Sequence, residues 1–143
     1  MLMEPEGQLF VPAKVVDSIL AHAREDAPRE CCGLLLGAGR DVVRAVRTRN
    51  ARAGTTRYLV DPADHFMAIR EARSAGLSIV GAYHSHPASA PTPSPRDLSE
   101  GTYEFFYLIA SLADPAGPEI RAFALNHGNF RPLQLVRLTG VPG

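Results

Sequence analysis

From Leu77 an apolar segment, Leu-Ser-Ile-Val-Gly-Ala-Tyr, runs into His84-Ser85-His86 and then meets prolines at 87, 91, 93 and 95. Proline fixes φ and removes a backbone donor, so the loop is stiff and the strand must stop at its edge. Leu77 to His84 therefore reads as a strand that enters the core and hands two histidines to a rigid loop.

The flanking segments supply what such a strand needs as neighbours. Residues 8–11 read as a short strand, and a helix follows over 12–26, in which Val15, Val16, Ile19, Leu20 and Ala23 recur at helical spacing. Pro28 marks its end. Cys32 to Leu36 is an apolar run that turns at Gly37-Ala38-Gly39-Arg40, with residues 41–48 pairing back against it. After a polar loop, Asn50 to Thr56, comes a short strand from Arg57 to Val60. Asp61 caps a second helix with Pro62 in its first turn, Phe66, Ile69 and Ala72 facing inward with Met67 alongside, and Gly76 as its stop. Ser94-Pro95-Arg96-Asp97 fits the start of a short third helix. Three strands close the chain, Phe105–Leu112, Glu119–Leu125 and Phe130–Leu138, the last two joined at Asn126-His127-Gly128-Asn129. No repeat or composition shift marks a second unit, so the 143 residues read as one mixed α/β domain with its core at about 8–138.

Charge and cysteine usage narrow the function classes. Fifteen basic residues balance fifteen acidic ones, which removes any whole-domain attraction to nucleic acid or to anionic membrane. No apolar stretch approaches the roughly 20 residues that span a bilayer. Glu4 and Glu6 stand where an export signal would carry Lys or Arg, and Cys31 and Cys32 are adjacent, poorly placed to pair, so a cytoplasmic setting is expected.

His84 and His86 are two apart on a strand end, and the two-residue period points both imidazoles to one side. A catalytic zinc site takes three protein ligands and keeps one position open, so a third ligand is needed, and Asp97 is the natural candidate. A separate acid that is not a ligand must move a proton, and Glu30 is a candidate for that role. Taken singly, each residue has a plainer reading. Asp97 completes a capping box, Ser94 is an N-cap, Glu30 is a solvated acid, and the histidines pack a strand end.

Together these residues resemble the signature of the JAMM (MPN+) metalloprotease family: an upstream Glu, then His-x-His-Pro, six residues, and Ser-x-x-Asp. Here it stands as Glu30 followed by HSHPASAPTPSPRD at 84–97, with ECCGLLLG and IVGAYHSHP around it. The resemblance implies an MPN-like (cytidine-deaminase-like) α/β domain, a curved mixed sheet flanked by two main helices and a short helix after the metal loop. It implies that His84, His86 and Asp97 bind one Zn2+ per chain and that Glu30 is the general acid/base. Ser94 would orient the water or stabilise the oxyanion.

The family hydrolyses peptide and isopeptide bonds after the C-terminal Gly-Gly of ubiquitin-like proteins, and small stand-alone domains resemble its bacterial and archaeal members. The expected partner is therefore a ubiquitin-like sulfur carrier, trimmed or relieved of an attached amino acid such as cysteine. Related domains often pair, which makes a homodimer an expectation. Two rival readings are a catalytically silent scaffold of the same fold and a zinc hydrolase related to the radC-type proteins. The retained ligand set argues against the first, and the neutral charge with the ECCGLLLG segment argues against the second. The run of Arg40, Arg44, Arg47, Arg49, Arg52 and Arg57, broken only by the acid Asp41, is either a solvated face or a dock for an acidic partner. Cys31 and Cys32 are read as packing residues. His22, His65 and His127 stand outside the signature.

Overall fold

In the computed structural model, which describes residues 7–52, 59–94, 105–126 and 128–139, the His-bearing strand is paired on both sides. The described elements are β1 (Gln8–Pro12), α1 (Ala13–Asp26), β2 (Cys32–Ala38), β3 (Asp41–Thr48), α2 (Pro62–Ser74), β4 (Ser78–His86), β5 (Phe106–Ser111), β6 (Glu119–Asn126) and β7 (Asn129–Leu138). β4 lies between β2, antiparallel, and β5, parallel, so it is a central strand. The apolar character of Ile79 to Tyr83 follows from that position, since a strand covered on both faces reads as a continuous run.

The sheet order is β1-β3-β2-β4-β5-β6-β7, and β1 closes it into a barrel by running parallel to both β7 and β3. Closure is unequal: five registered pairs join β1 to β7, but only Phe10 and Asp41 register between β1 and β3. The curved mixed sheet expected from the sequence is thus carried through to closure. The expected short helix beginning at Ser94-Pro95 lies outside the described residues from Pro95 onward, as does Arg57 of the expected short strand. Val60 of that strand makes an isolated antiparallel bridge with Asn50.

The two helices cover the two faces of the sheet. Val15, Val16, Ile19, Leu20 and Ala23 of α1 pack with Leu35, Tyr83 and Leu108. Ala68 of α2 packs with Leu34, Ala82 and Tyr107, the alternate residues of the same three strands. Gly33 permits this arrangement, because a Cβ there would lie 2.1 Å from the Tyr83 ring.

α2 is rotated from its expected orientation. Ala68 and Ala72 face inward, whereas Phe66, Met67 and Ile69 are 60%, 58% and 40% exposed. Polar anchors at its N-terminus set the rotation. Asp61 accepts from the N–H groups of Ala63 and Asp64, at 3.0 and 3.1 Å, and Asp64 accepts from the Arg49 N–H at 2.7 Å. With Asp64 held toward β3, the stripe through Ala68 and Ala72 must meet the sheet, and small side chains allow that close approach. Gly76, at φ +71°, ends the helix as expected, with the Leu77 N–H returning to the Ala72 carbonyl at 2.8 Å.

The arginine run is tied to the helices. Arg44 pairs with Glu71, Arg47 with Glu25, and Arg49 with Asp64. Arg40 instead lies over the Phe106 ring.

Candidate metal centre

β4 sends Tyr83 and Ser85 to one side and His84 and His86 to the other, as the period of two requires. Cys32 is registered against His84, and the Ser85 N–H donates to the Cys31 carbonyl at 3.1 Å. Continuing that antiparallel register brings Glu30 opposite His86. Glu30, His84 and His86 are 5%, 1% and 5% exposed, and one donor atom from each lies within 4.8 Å of the others. The group is able to hold a metal ion.

Its geometry fits one. The Nε2 atoms of His84 and His86 are 3.2 Å apart. Two nitrogens at 2.0–2.1 Å from a tetrahedral zinc would be separated by about 3.3 Å. His86 Nδ1 donates to the Ala90 carbonyl at 2.8 Å, which assigns the tautomer that leaves the Nε2 lone pair available. A carbonyl partner on the far nitrogen is the usual support of a metal-ligating histidine. Two imidazole nitrogens suit zinc or a neighbouring transition metal, and the Glu30 carboxyl beside them is near enough either to ligate an ion or to exchange a proton with a group bound to it.

Residues 12–126 match the model of a family described as prokaryotic homologues of the JAB domain. The chain belongs to this family. Three relatives are 33–39% identical to it. A probable TtuB-protein conjugate cleaving protease of Thermus thermophilus is 35% identical over 121 residues, 84% of this chain and 78% of that protein. A desampylase of Haloferax volcanii is 39% identical over 113 residues, 73% and 81%. A CysO-cysteine peptidase of Mycobacterium tuberculosis is 33% identical over 123 residues, 84% of each. A solution structure of a Desulfitobacterium hafniense protein superposes with a TM-score of 0.85 at 29% identity, covering 94% of this chain and 95% of that one.

In this JAB domain a cavity of about 680 Å3 lies over Glu30 and His86, walled by Ala27, Pro28, Pro87 and Ala88, and Ser94 also lines it. Of the residues singled out by the signature, the fold thus brings together Glu30, His84, His86 and Ser94. Asp97 lies outside the described residues.

Cys31 and Cys32 are fully buried free thiols. Burial pushes Cys31 up to about 12 and Cys32 up to about 11, so both stay protonated near neutrality and act as packing groups. Cys32 Sγ sits 3.4 Å from Thr48 Oγ1.

Sequence reasoning missed three supporting residues. Ser85, between the two histidines and wholly buried, accepts the Cys31 N–H on its Oγ at 2.8 Å. Asn50 donates from Nδ2 to the Glu30 carbonyl at 3.0 Å. Tyr83 places its hydroxyl 2.7 Å from His22 Nδ1 in the core behind the site. Ser85 carried a usable signal, since a hydroxyl in a buried strand must find a partner.

No helix among the described residues is long and apolar enough to cross a membrane.

Proposed function

We propose that the protein is a zinc peptidase that hydrolyses the amide bond following the C-terminal Gly-Gly of a ubiquitin-like sulfur carrier. The observation that carries this reading is the 3.2 Å approach of His84 Nε2 to His86 Nε2 beside the buried carboxyl of Glu30. His84, His86 and Asp97 hold the ion, Asp97 entering on its place in the motif. What zinc supplies there when bound is Lewis acidity, which makes water nucleophilic near neutral pH and polarises the scissile carbonyl.

The remaining work falls to the chain. Glu30 accepts a proton from the attacking water and delivers it to the amine nitrogen as the C–O bond forms and the C–N bond breaks. The products are a glycine carboxylate and a free amine. Ser94, in the same cavity, donates its hydroxyl to the developing oxyanion. Walls of alanine and proline suit a tail without side chains, which Gly-Gly provides. The names of the relatives, a conjugate-cleaving protease, a desampylase and a cysteine peptidase, support the same bond.

Intact-mass analysis of a carrier with residues appended after Gly-Gly, incubated with zinc-loaded protein, tests this. Loss of the appended mass alone is expected. An uncut carrier, or a cut elsewhere in the tail, contradicts it.

A further inference from the structure

Glu30 borders two cavities. The one described above is walled by small and proline residues. The second, of about 410 Å3, is lined by Arg29, Arg49, Arg52, Asn50, Thr48 and Asp26, with His22 and Glu30. Glu30 is the only described residue that lines both.

An amide hydrolysed beside Glu30 has two arms, and the cavities differ in chemistry as the arms do. The acyl arm ends in glycines and matches the first. The amine arm needs room of its own beside Glu30, and the second cavity borders the same residue. Its rim is fixed to the acid: Asn50 donates from Nδ2 to the Glu30 carbonyl at 3.0 Å, and Asn50 Oδ1 accepts the Arg52 N–H at 3.0 Å.

The charges in this cavity are unequally committed. Arg49 is held by Asp64, at 3.2 Å, and Asp61, at 3.7 Å, and Asp26 faces His22 at 3.3 Å. Arg29 is exposed, and its side chain makes no hydrogen bond or ion pair among the described residues. A guanidinium next in sequence to the acid that protonates the leaving amine has one well-matched ligand, a carboxylate close to that nitrogen. An α-amino acid carries its carboxylate on the carbon bonded to the nitrogen. Without a cation nearby, that carboxylate would be repelled by Glu30.

We propose that the Arg-lined cavity bordering Glu30 is the leaving-group subsite and that Arg29 binds the α-carboxylate of a released amino acid. The subsite rests on the peptidase reading above. It makes Arg29 a specificity-determining residue, favouring leaving groups that end in a free α-carboxylate.

The test uses two carriers that differ in one group: a single amino acid after Gly-Gly, either as the free acid or as the C-terminal carboxamide. With zinc-loaded parent, kcat/KM for the acid should exceed that for the amide about tenfold, the size expected of one charge-assisted contact. In Arg29→Ala the ratio should fall to about one, and Arg29→Lys should retain a preference for the acid. Equal cleavage of both carriers by the parent overturns the subsite and leaves the peptidase reading standing. A ratio unchanged in Arg29→Ala removes Arg29 from it. Failure to cut either carrier overturns both.

Discussion

Ser85 Oγ accepts the backbone N–H of Cys31 at 2.8 Å, joining the residue between the two site histidines to the residue that follows Glu30. With the Ser85 N–H returning to the Cys31 carbonyl at 3.1 Å, this locks the end of β2 to the end of β4. Ser85→Ala should leave the Cys31 N–H buried without its acceptor, costing about 1–2 kcal/mol of stability. Metal content should persist, because β4 remains paired on both sides. Displacement of Glu30 should lower turnover about ten- to hundredfold. Zinc analysis beside steady-state kinetics checks this, and loss of metal together with activity would show that Ser85 supports the ligands instead.

Gly33 and Tyr83 set a second test. A Cβ at Gly33 would lie 2.1 Å from the Tyr83 ring, and Tyr83 is itself fully buried in the core under α1. Gly33→Ala should therefore destabilise by about 3 kcal/mol, and adding Tyr83→Leu should recover part of the loss. Thermal denaturation of the single and double variants reads both. A Gly33→Ala protein as stable as the parent would contradict the packing described.

His22 gives a pH prediction. It is buried against Tyr83, with Asp26 at 3.3 Å, and desolvation lowers its pKa below the ordinary 6.5 although Asp26 opposes the shift. Arg47 also lowers it, and Glu25 raises it. A base whose folded pKa is depressed contributes its stability above the unfolded value. That contribution is lost as pH falls below 6.5 toward the folded pKa, because the unfolded chain takes up the proton first. The melting temperature should decline through that window, and His22→Gln should flatten the decline. Parallel profiles for parent and variant would assign the pH dependence to other groups.

The parts of the fold that follow from local period were legible in the sequence. The helix over 13–26 declared itself through Val15, Ile19 and Ala23, and the shared side of His84 and His86 followed from strand geometry alone. The rotation of α2 did not: Ala72 faces inward as expected, but Phe66, Met67 and Ile69 outrank Ala68 in hydrophobicity, and the contacts from Asp61 and Asp64 that decide the rotation lie at the N-terminus. Barrel closure was also hidden, because β1 pairs with β7 across almost the whole chain and leaves no local signal. Glu30 was legible only through the motif. Asn50 donates to its backbone carbonyl and Ser85 holds the residue that follows it, contacts that are not visible in spacing. The arginine run was legible as charge, but not its acidic partners Glu25, Asp64 and Glu71 on the helices.

The proposed ligand pair has its own signature. His86→Ala removes one of two nitrogens 3.2 Å apart and should abolish stoichiometric zinc on elemental analysis. Retention of one zinc per chain would place the ion elsewhere.

The most direct test of the central claim is turnover of zinc-loaded Glu30→Gln on a carrier extended past Gly-Gly, with metal content measured on the same sample. The amide keeps the shape of the carboxyl but cannot carry the proton, so parent-like zinc with turnover reduced at least about a hundredfold is expected. Parent-like turnover in a fully zinc-loaded variant would contradict Glu30 as the acid/base and, with it, the peptidase mechanism built on this site.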